Sequence, residues 1–241
     1  MKFISKIWAR KSADHHLFLK LKSLLGYSPK NKHLYRAAFT HRSMNIKNDK
    51  GMPLNFERLE YLGDSVLSTI VSRYLFEKLP KANEGKLTRM KSKIVSREKL
   101  NFIGKEMLLL DLLICAGKKE NFGDDIHGNI LEALVGAIFM DKGYEACKNT
   151  LINVFFKPYI DLDSIENTVV SYKSLLIEWS QKNKKNLVFE TDLDNGKDPN
   201  INFYCKILLD NKVKAKSRDV SKKKAEEKAA KRAVHLLKNN Y

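Results

Sequence analysis

A mostly α-helical N-terminal domain of the helical-bundle kind, followed by a small α+β domain of order α-β-β-β-α, is the fold class this sequence predicts. Three observations carry that expectation. Apolar residues recur at helical spacing through residues 55–79 and 129–142. Between residues 187 and 218 the period drops to two, as in strands with one wet face. A short, mildly acidic stretch at 161–170 separates the two patterns and reads as a linker. The expected organisation is a basic leader at 1–14, a helical domain at 15–160, the linker at 161–170 and the α+β domain at 171–241.

The chain has 241 residues and a formal net charge of +17. The length suffices for a buried core in one large domain or two unequal ones. An excess of lysine and arginine this large points to a polyanionic partner, nucleic acid before an acidic membrane. No apolar run approaches the ~20 residues that span a bilayer, and Lys6 and Arg10 interrupt any signal-peptide core at the N-terminus. Cys115, Cys147 and Cys205 are odd in number, far apart and set in apolar sequence. They suit free thiols in a reducing compartment, so the expected location is cytoplasmic.

Taken in order, the leader is either a short amphipathic helix or disordered. Apolar positions 17, 18, 21, 24 and 25 predict a helix that Gly26 stops. Residues 34–39 form another short helix, followed by Thr40-His41-Arg42-Ser43, where His41 is expected to be a hydrogen-bonding structural residue. A polar loop at 48–53 leads into the helix at 55–79. At roughly 100° per residue, Glu57, Glu60 and Asp64 fall within about 60° of one another, opposite Leu59, Leu62, Val66 and Ile70. Such acids either face water or converge on a divalent cation, which takes clustered carboxylate oxygens.

Residues 81–97 begin as a loop and become a basic helix, with Glu84 at the junction. Glu84 is either solvated or within reach of a metal site. An apolar helix is expected at 100–113 and a polar connector at 117–128. The helix at 129–142 is apolar on nearly every side yet contains Glu132, one turn from Asn129. An ionised carboxylate there needs an ion-pair partner, a cation or a raised pKa. Gly63 and Gly136 would let the two helices approach closely, bringing Glu132 towards Glu60 and Asp64. A helix through 149–156 closes the domain.

In the C-terminal domain, residues 172–182 form a helix, and 187–192, 201–209 and 212–218 form strands. Asp210-Asn211 makes the tight turn between the last two. A final helix at 221–237 is expected to bury Ala225, Ala229, Ala233 and Leu236. Lys222, Lys223 and Lys224 occupy its first turn, where the helix dipole disfavours cations by roughly 0.3–1 kcal/mol each. A helix start carrying three lysines is either a solvated charge run or a site suited to a phosphate group. Lys212, Lys214, Lys216 and Arg218 alternate along a strand and read as the wet face of the sheet.

The stretch Glu57-Arg58-Leu59-Glu60-Tyr61-Leu62-Gly63-Asp64-Ser65 resembles the signature of the ribonuclease III family. The run from Leu131 to Ile138 resembles that family's second block, and Thr40-His41-Arg42-Ser43 and Glu84-Gly85 resemble weaker motifs. The C-terminal module is similar to a double-stranded-RNA-binding domain. The resemblance implies a magnesium-dependent endoribonuclease that cuts duplex RNA in rRNA or mRNA processing, with manganese a possible substitute. It implies 5′-phosphate and 3′-hydroxyl ends with two-nucleotide 3′ overhangs, made by a homodimer with no membrane attachment and no small-molecule cofactor. It implies that Glu60, Asp64, Asn129 and Glu132 hold the metal and that Asp64, Glu132, Glu57 and Glu84 serve cleavage. In the RNA-binding module it points to Glu178, Pro199, Lys222, Lys223 and Lys224.

The departure is Asn129, where the family usually has Asp. An amide oxygen can still ligate magnesium, but attracts the ion less than a carboxylate does. Asp125, one turn earlier, could compensate if the helix starts early. Asn129 also leaves open the alternative of a duplex-RNA-binding protein without catalysis. A DNA-binding or membrane-surface protein would explain the charge but not the two acid-bearing helices.

Overall fold

The computed structural model describes residues 2–47, 51–167, 171–196, 198 and 200–238, and divides into two units, Met1–Glu166 and Asn167–Tyr241. Pro199 lies outside the described residues, as do positions 48–50 of the expected loop and 168–170 of the expected linker.

Among the described residues the first unit is built of helices, with two isolated β-bridges, Thr40 to Ile114 and Lys47 to Pro53. Helix α1 (Lys2–Leu25) runs unbroken through position 14, where the sequence suggested a leader boundary. It buries Leu17, Leu21 and Leu25 and ends where Gly26 takes φ +75°. Helix α2 (Lys32–Ala38) and a 3₁₀ turn (Arg42–Met44) lead to α3 (Glu57–Lys78). Helix α3 buries Val66, Leu67, Ile70, Val71 and Leu75, the apolar face expected from its periodicity.

Helix α4 (Glu84–Ile94) starts on an Asn83 cap whose side chain accepts from the Lys86 N–H at 2.9 Å. The helix expected at 100–113 is corrected at both ends. Ser96 caps α5 (Arg97–Glu106) three residues earlier, accepting from the Lys99 N–H at 3.2 Å. Leu108, at φ +53°, then breaks the helix, and Leu109–Leu112 continue as a 3₁₀ turn.

Helix α6 (Asp125–Thr150) begins inside the expected connector, one turn ahead of Asn129. Its non-helical residue, Gly143 at φ +76°, falls where the sequence pattern ended the helix. A π-helical turn (Leu151–Phe156) and α7 (Leu162–Asn167) complete the unit. The core gathers on α6, whose Ile130, Leu134 and Ile138 are fully buried among Leu21, Phe39, Ile70, Leu100 and Phe155.

The second unit has the order α8 (Tyr172–Lys182), β1 (Leu187–Leu193), β2 (Phe203–Leu209), β3 (Lys212–Asp219), α9 (Lys222–Lys238). The three strands form an antiparallel sheet in that order, with Phe189 opposite Ile207 and Ile207 opposite Ala215. The tight turn takes positive φ at both Asp210 and Asn211, which short polar side chains tolerate. Helix α9 packs through Ala225, Ala229, Ala230, Ala233 and Val234 onto Leu176, Cys205, Ile207 and Ala215. Alanines there let the helix axis come close to the sheet. Leu236 is half exposed, contrary to expectation; Val234 takes the buried place on that turn. Lys212, Lys214, Lys216 and Arg218 are exposed on the wet face as expected, and Arg218 pairs there with Asp194 at 2.6 Å.

Candidate active site

Two glycines set the geometry of the first unit's site. A Cβ on Gly63 of α3 would collide with the Glu132 carbonyl oxygen of α6 and stand 2.9 Å from the Gly136 nitrogen. A Cβ on Gly136 would collide with the Leu59 carbonyl oxygen. The helices therefore meet backbone to backbone, and the acid face of α3 emerges beside Glu132.

The two faces open into a cleft of about 870 Å³. Glu57, Glu60 and Asp64 line it from α3, and Asp125, Asn129 and Glu132 line it from α6. Five of the candidate residues, Glu57, Glu60, Asp64, Asn129 and Glu132, thus share one site. Glu84 does not join them. It stands in the first turn of α4, accepts from the Thr88 hydroxyl at 2.8 Å, and lines a separate hollow with Phe76 and Arg73.

The cleft's electrostatics follow from crowded carboxylates at partial burial. Burial first, then Asp64 and Glu60, push the Glu132 carboxyl up to about 7, with Arg97 opposing. Burial, then Glu57, also raise Glu60; Arg97 opposes and Asp64 adds to the rise. Glu57 is held from outside the cluster. Its backbone N–H donates to the Asn55 side chain at 3.2 Å, and its carboxylate stands 3.6 Å from Arg42.

His41 forms part of the wall as a structural residue. Its Nδ1 accepts from the Ser43 N–H at 3.1 Å, and its ring packs edge-on against Phe122 at 4.7 Å. Burial, then Arg42, lower its pKa.

The donors facing the cleft are carboxylate and amide oxygens, the set that a hard divalent cation such as magnesium takes. Glu60, Asp64 and Glu132, with the Asn129 amide, fit that ion by the chemistry of their oxygens. Among the described residues, no three His, Cys, Asp or Glu side chains are gathered closely enough to grip an ion as they stand.

Sequence reasoning missed Arg97 and Asn101. Arg97 sits in the first turn of α5, and its guanidinium stands 3.3 Å from Asp125. The Asn101 amide donates to Asp125 at 3.1 Å, and its oxygen accepts from the Gly128 N–H at 3.0 Å. A lone arginine in a basic stretch and a lone asparagine in a helix carry no signal by themselves. Only the packing of α5 on α6 brings them to the cleft.

In the second unit, Glu178 is exposed on α8, and Lys222, Lys223 and Lys224 are exposed in the first turn of α9. The Lys224 N–H donates to the Ser221 hydroxyl at 3.3 Å, which caps that helix. Another missed pair, Lys173 and the buried Glu226, stand 2.6 Å apart and tie α8 to α9. Glu227 caps α8, accepting from the Ser171 hydroxyl at 2.9 Å and from the Tyr172 N–H.

Residues 31–159 match the family described as Ribonuclease-III-like, and residues 172–237 match the double-stranded RNA binding motif. A protein named ribonuclease 3 from Zunongwangia profunda is 47% identical over 231 residues, covering 96% of this chain and 95% of its own. Another of that name from Flavobacterium psychrophilum is 46% identical over 243 residues, covering 99% and 98%. Among solved structures, the nuclease domain of ribonuclease III from Campylobacter jejuni is 32% identical with a TM-score of 0.51, over 59% of this chain and 95% of that one. A second structure of that domain, described by the flexibility of its dimer-forming region, is 33% identical with a TM-score of 0.50, over 56% and 94%.

Proposed function

The chain belongs to the ribonuclease III family, and on that footing we propose that it is an endoribonuclease that cuts double-stranded RNA in the cleft between α3 and α6. The observation that carries the proposal is the Gly63–Gly136 contact, which brings Glu60 and Asp64 of one helix to the same cleft as Glu132 of the other. Duplex binding is assigned to the second unit, whose residues 172–237 match the double-stranded RNA binding motif.

Glu60, Asp64 and Glu132 would hold magnesium with the carbonyl oxygen of Asn129, and manganese could replace it. The ion's contribution is a bound water of lowered pKa and positive charge beside the scissile phosphate. The protein's part is to preset the oxygens. The glycine contact fixes where the two helices stand, and partial burial of Glu132 excludes competing water. Glu57, steadied by Asn55 and Arg42, flanks the reacting phosphate.

We assign Lys222, Lys223 and Lys224 to the RNA backbone, where the α9 N-terminus adds free N–H groups. Glu178 is assigned to 2′-hydroxyls in the wide minor groove, with Pro199 in the neighbouring loop. Recognition then rests on duplex shape more than on sequence.

The active form is proposed to be a homodimer. Tyr61, 80% exposed on α3 beside the cleft, and Phe76, 70% exposed further along it, are large apolar surfaces suited to burial between two protomers. Glu84, on the far hollow of its own chain, would reach a cleavage site only in such a dimer. Two sites acting on opposite strands would leave 5′-phosphates, 3′-hydroxyls and two-nucleotide 3′ overhangs. Processing of rRNA or mRNA in the cytoplasm is the proposed setting. No helix among the described residues is long and apolar enough to cross a membrane.

Incubation of a perfect RNA duplex with the full chain and magnesium tests the proposal. Cleavage to short duplexes with those ends is expected, and EDTA should stop it. Binding without cutting would mark a duplex-binding protein instead.

A further inference from the structure

Asn129 sets a neutral amide among the carboxylates of the cleft, while Arg97 adds a positive charge at the rim. Arg97 is placed against a local preference, because a helix N-terminus disfavours a cation. Its guanidinium meets a carboxylate at the rim. Asp125 faces it at 3.3 Å, the Asn101 amide holds Asp125 at 3.1 Å, and the Asn101 oxygen is anchored on the Gly128 N–H at 3.0 Å. Arg97, Asn101, Asp125, Asn129 and Glu132 line one cleft. Asp125 and Asn129 are one turn apart on α6, about 6 Å along its axis.

Resting on the metal-site reading above, we infer that Asp125 makes good the charge that Asn129 withholds, by holding and neutralising Arg97 at the rim of the cleft. A guanidinium freed from Asp125 would extend towards Glu60 and Glu132, the carboxylates a divalent cation needs. With Asp125 in place, Arg97 divides its charge between the rim and the cleft, so its hold on Glu60 and Glu132 is weakened and more of their charge is left for the ion. Asp125 is thus a positioning residue, acting through Arg97 and not as a ligand.

The test is titration of manganese alone into the full chain without RNA, at low salt, with bound ion read by electron paramagnetic resonance. Glu132→Gln, the control for the site, should weaken binding at least about tenfold, since it removes a charge in contact with the ion. Asp125→Asn should weaken binding about five- to tenfold, consistent with one uncompensated charge several ångströms away. Arg97→Gln should bind as the parent or more tightly, and Arg97→Gln with Asp125→Asn should return to within about twofold of the parent. Unchanged affinity in Asp125→Asn, with Glu132→Gln still weak, overturns the inference and leaves the metal site standing. An equal loss from Asp125→Asn in the Arg97→Gln background also overturns it, because the carboxylate would then act without the arginine. No manganese binding by the parent sinks both the inference and the site.

Discussion

Gly63 of α3 faces the Glu132 carbonyl of α6 with no room for a side chain between them. The residue that permits the contact is one position from Asp64, and the residue it touches carries the half-buried acid. Packing and chemistry are therefore set at the same point of the chain.

Gly63→Ala should lower stability by at least about 1–3 kcal/mol, because backbone cannot yield as a flexible side chain does. Gly123→Ala, where an added Cβ meets nothing within 4 Å, should change it by less than about 0.5 kcal/mol. Thermal unfolding of both variants checks this; equal midpoints would contradict the close approach.

In the absence of divalent ions, stability should depend on pH through Glu132. Burial and the neighbouring acids raise its folded-state pKa to about 7 from an ordinary glutamate value of 4.5, so between these values the folded chain holds a proton that the unfolded chain has released. Stability is then greatest below the lower value and is lost as pH rises towards 7, by no more than about 3 kcal/mol. Unfolding midpoints in EDTA from pH 5 to 8 measure the slope. Glu132→Gln should flatten this contribution, and an unchanged slope in that variant would remove Glu132 as its source.

Replacing Lys222, Lys223 and Lys224 together with Ala should move stability and affinity in opposite directions. Relief of the helix dipole should stabilise the second unit by about 0.3–1 kcal/mol per residue. Loss of backbone contacts should weaken duplex binding and reduce the salt slope by up to about three units. Filter binding at several salt concentrations reads the second effect. An unchanged slope would place the phosphate contacts elsewhere.

Asn129→Asp should lower the magnesium concentration needed for half-maximal cleavage, since a carboxylate replaces a neutral amide oxygen among the ligands. An unchanged requirement would take position 129 out of the ligand set.

Much of this was legible in the sequence because the relevant signals are local. The 3.6-residue period of residues 55–79, the isolated acid at Glu132 and the two glycines suffice to bring α3 and α6 together. The three strands of the second unit follow from the period of two and the Asp210-Asn211 turn, whereas the register shift between Ile207 and Leu208 left no mark in the sequence. What stayed hidden depends on contacts between segments distant in sequence. Asp125 reads as connector until Asn101 caps the start of α6. Arg97 reads as one more basic residue until Asp125 fixes it. Leu236 has the right spacing for burial, yet Val234 sits nearer the sheet. Glu84, in a motif of its own, lies in a separate hollow beside Arg73 and Phe76, because α4 starts there.

The central claim is that Glu132 and the acids of α3 act together on one RNA strand. Cleavage and binding of a perfect RNA duplex by Glu132→Gln, in magnesium and beside the parent, test it most directly. Loss of cutting by at least about a hundredfold, roughly 2.7 kcal/mol of barrier, with duplex binding retained, is the predicted result. Cutting at the parent's rate would contradict it.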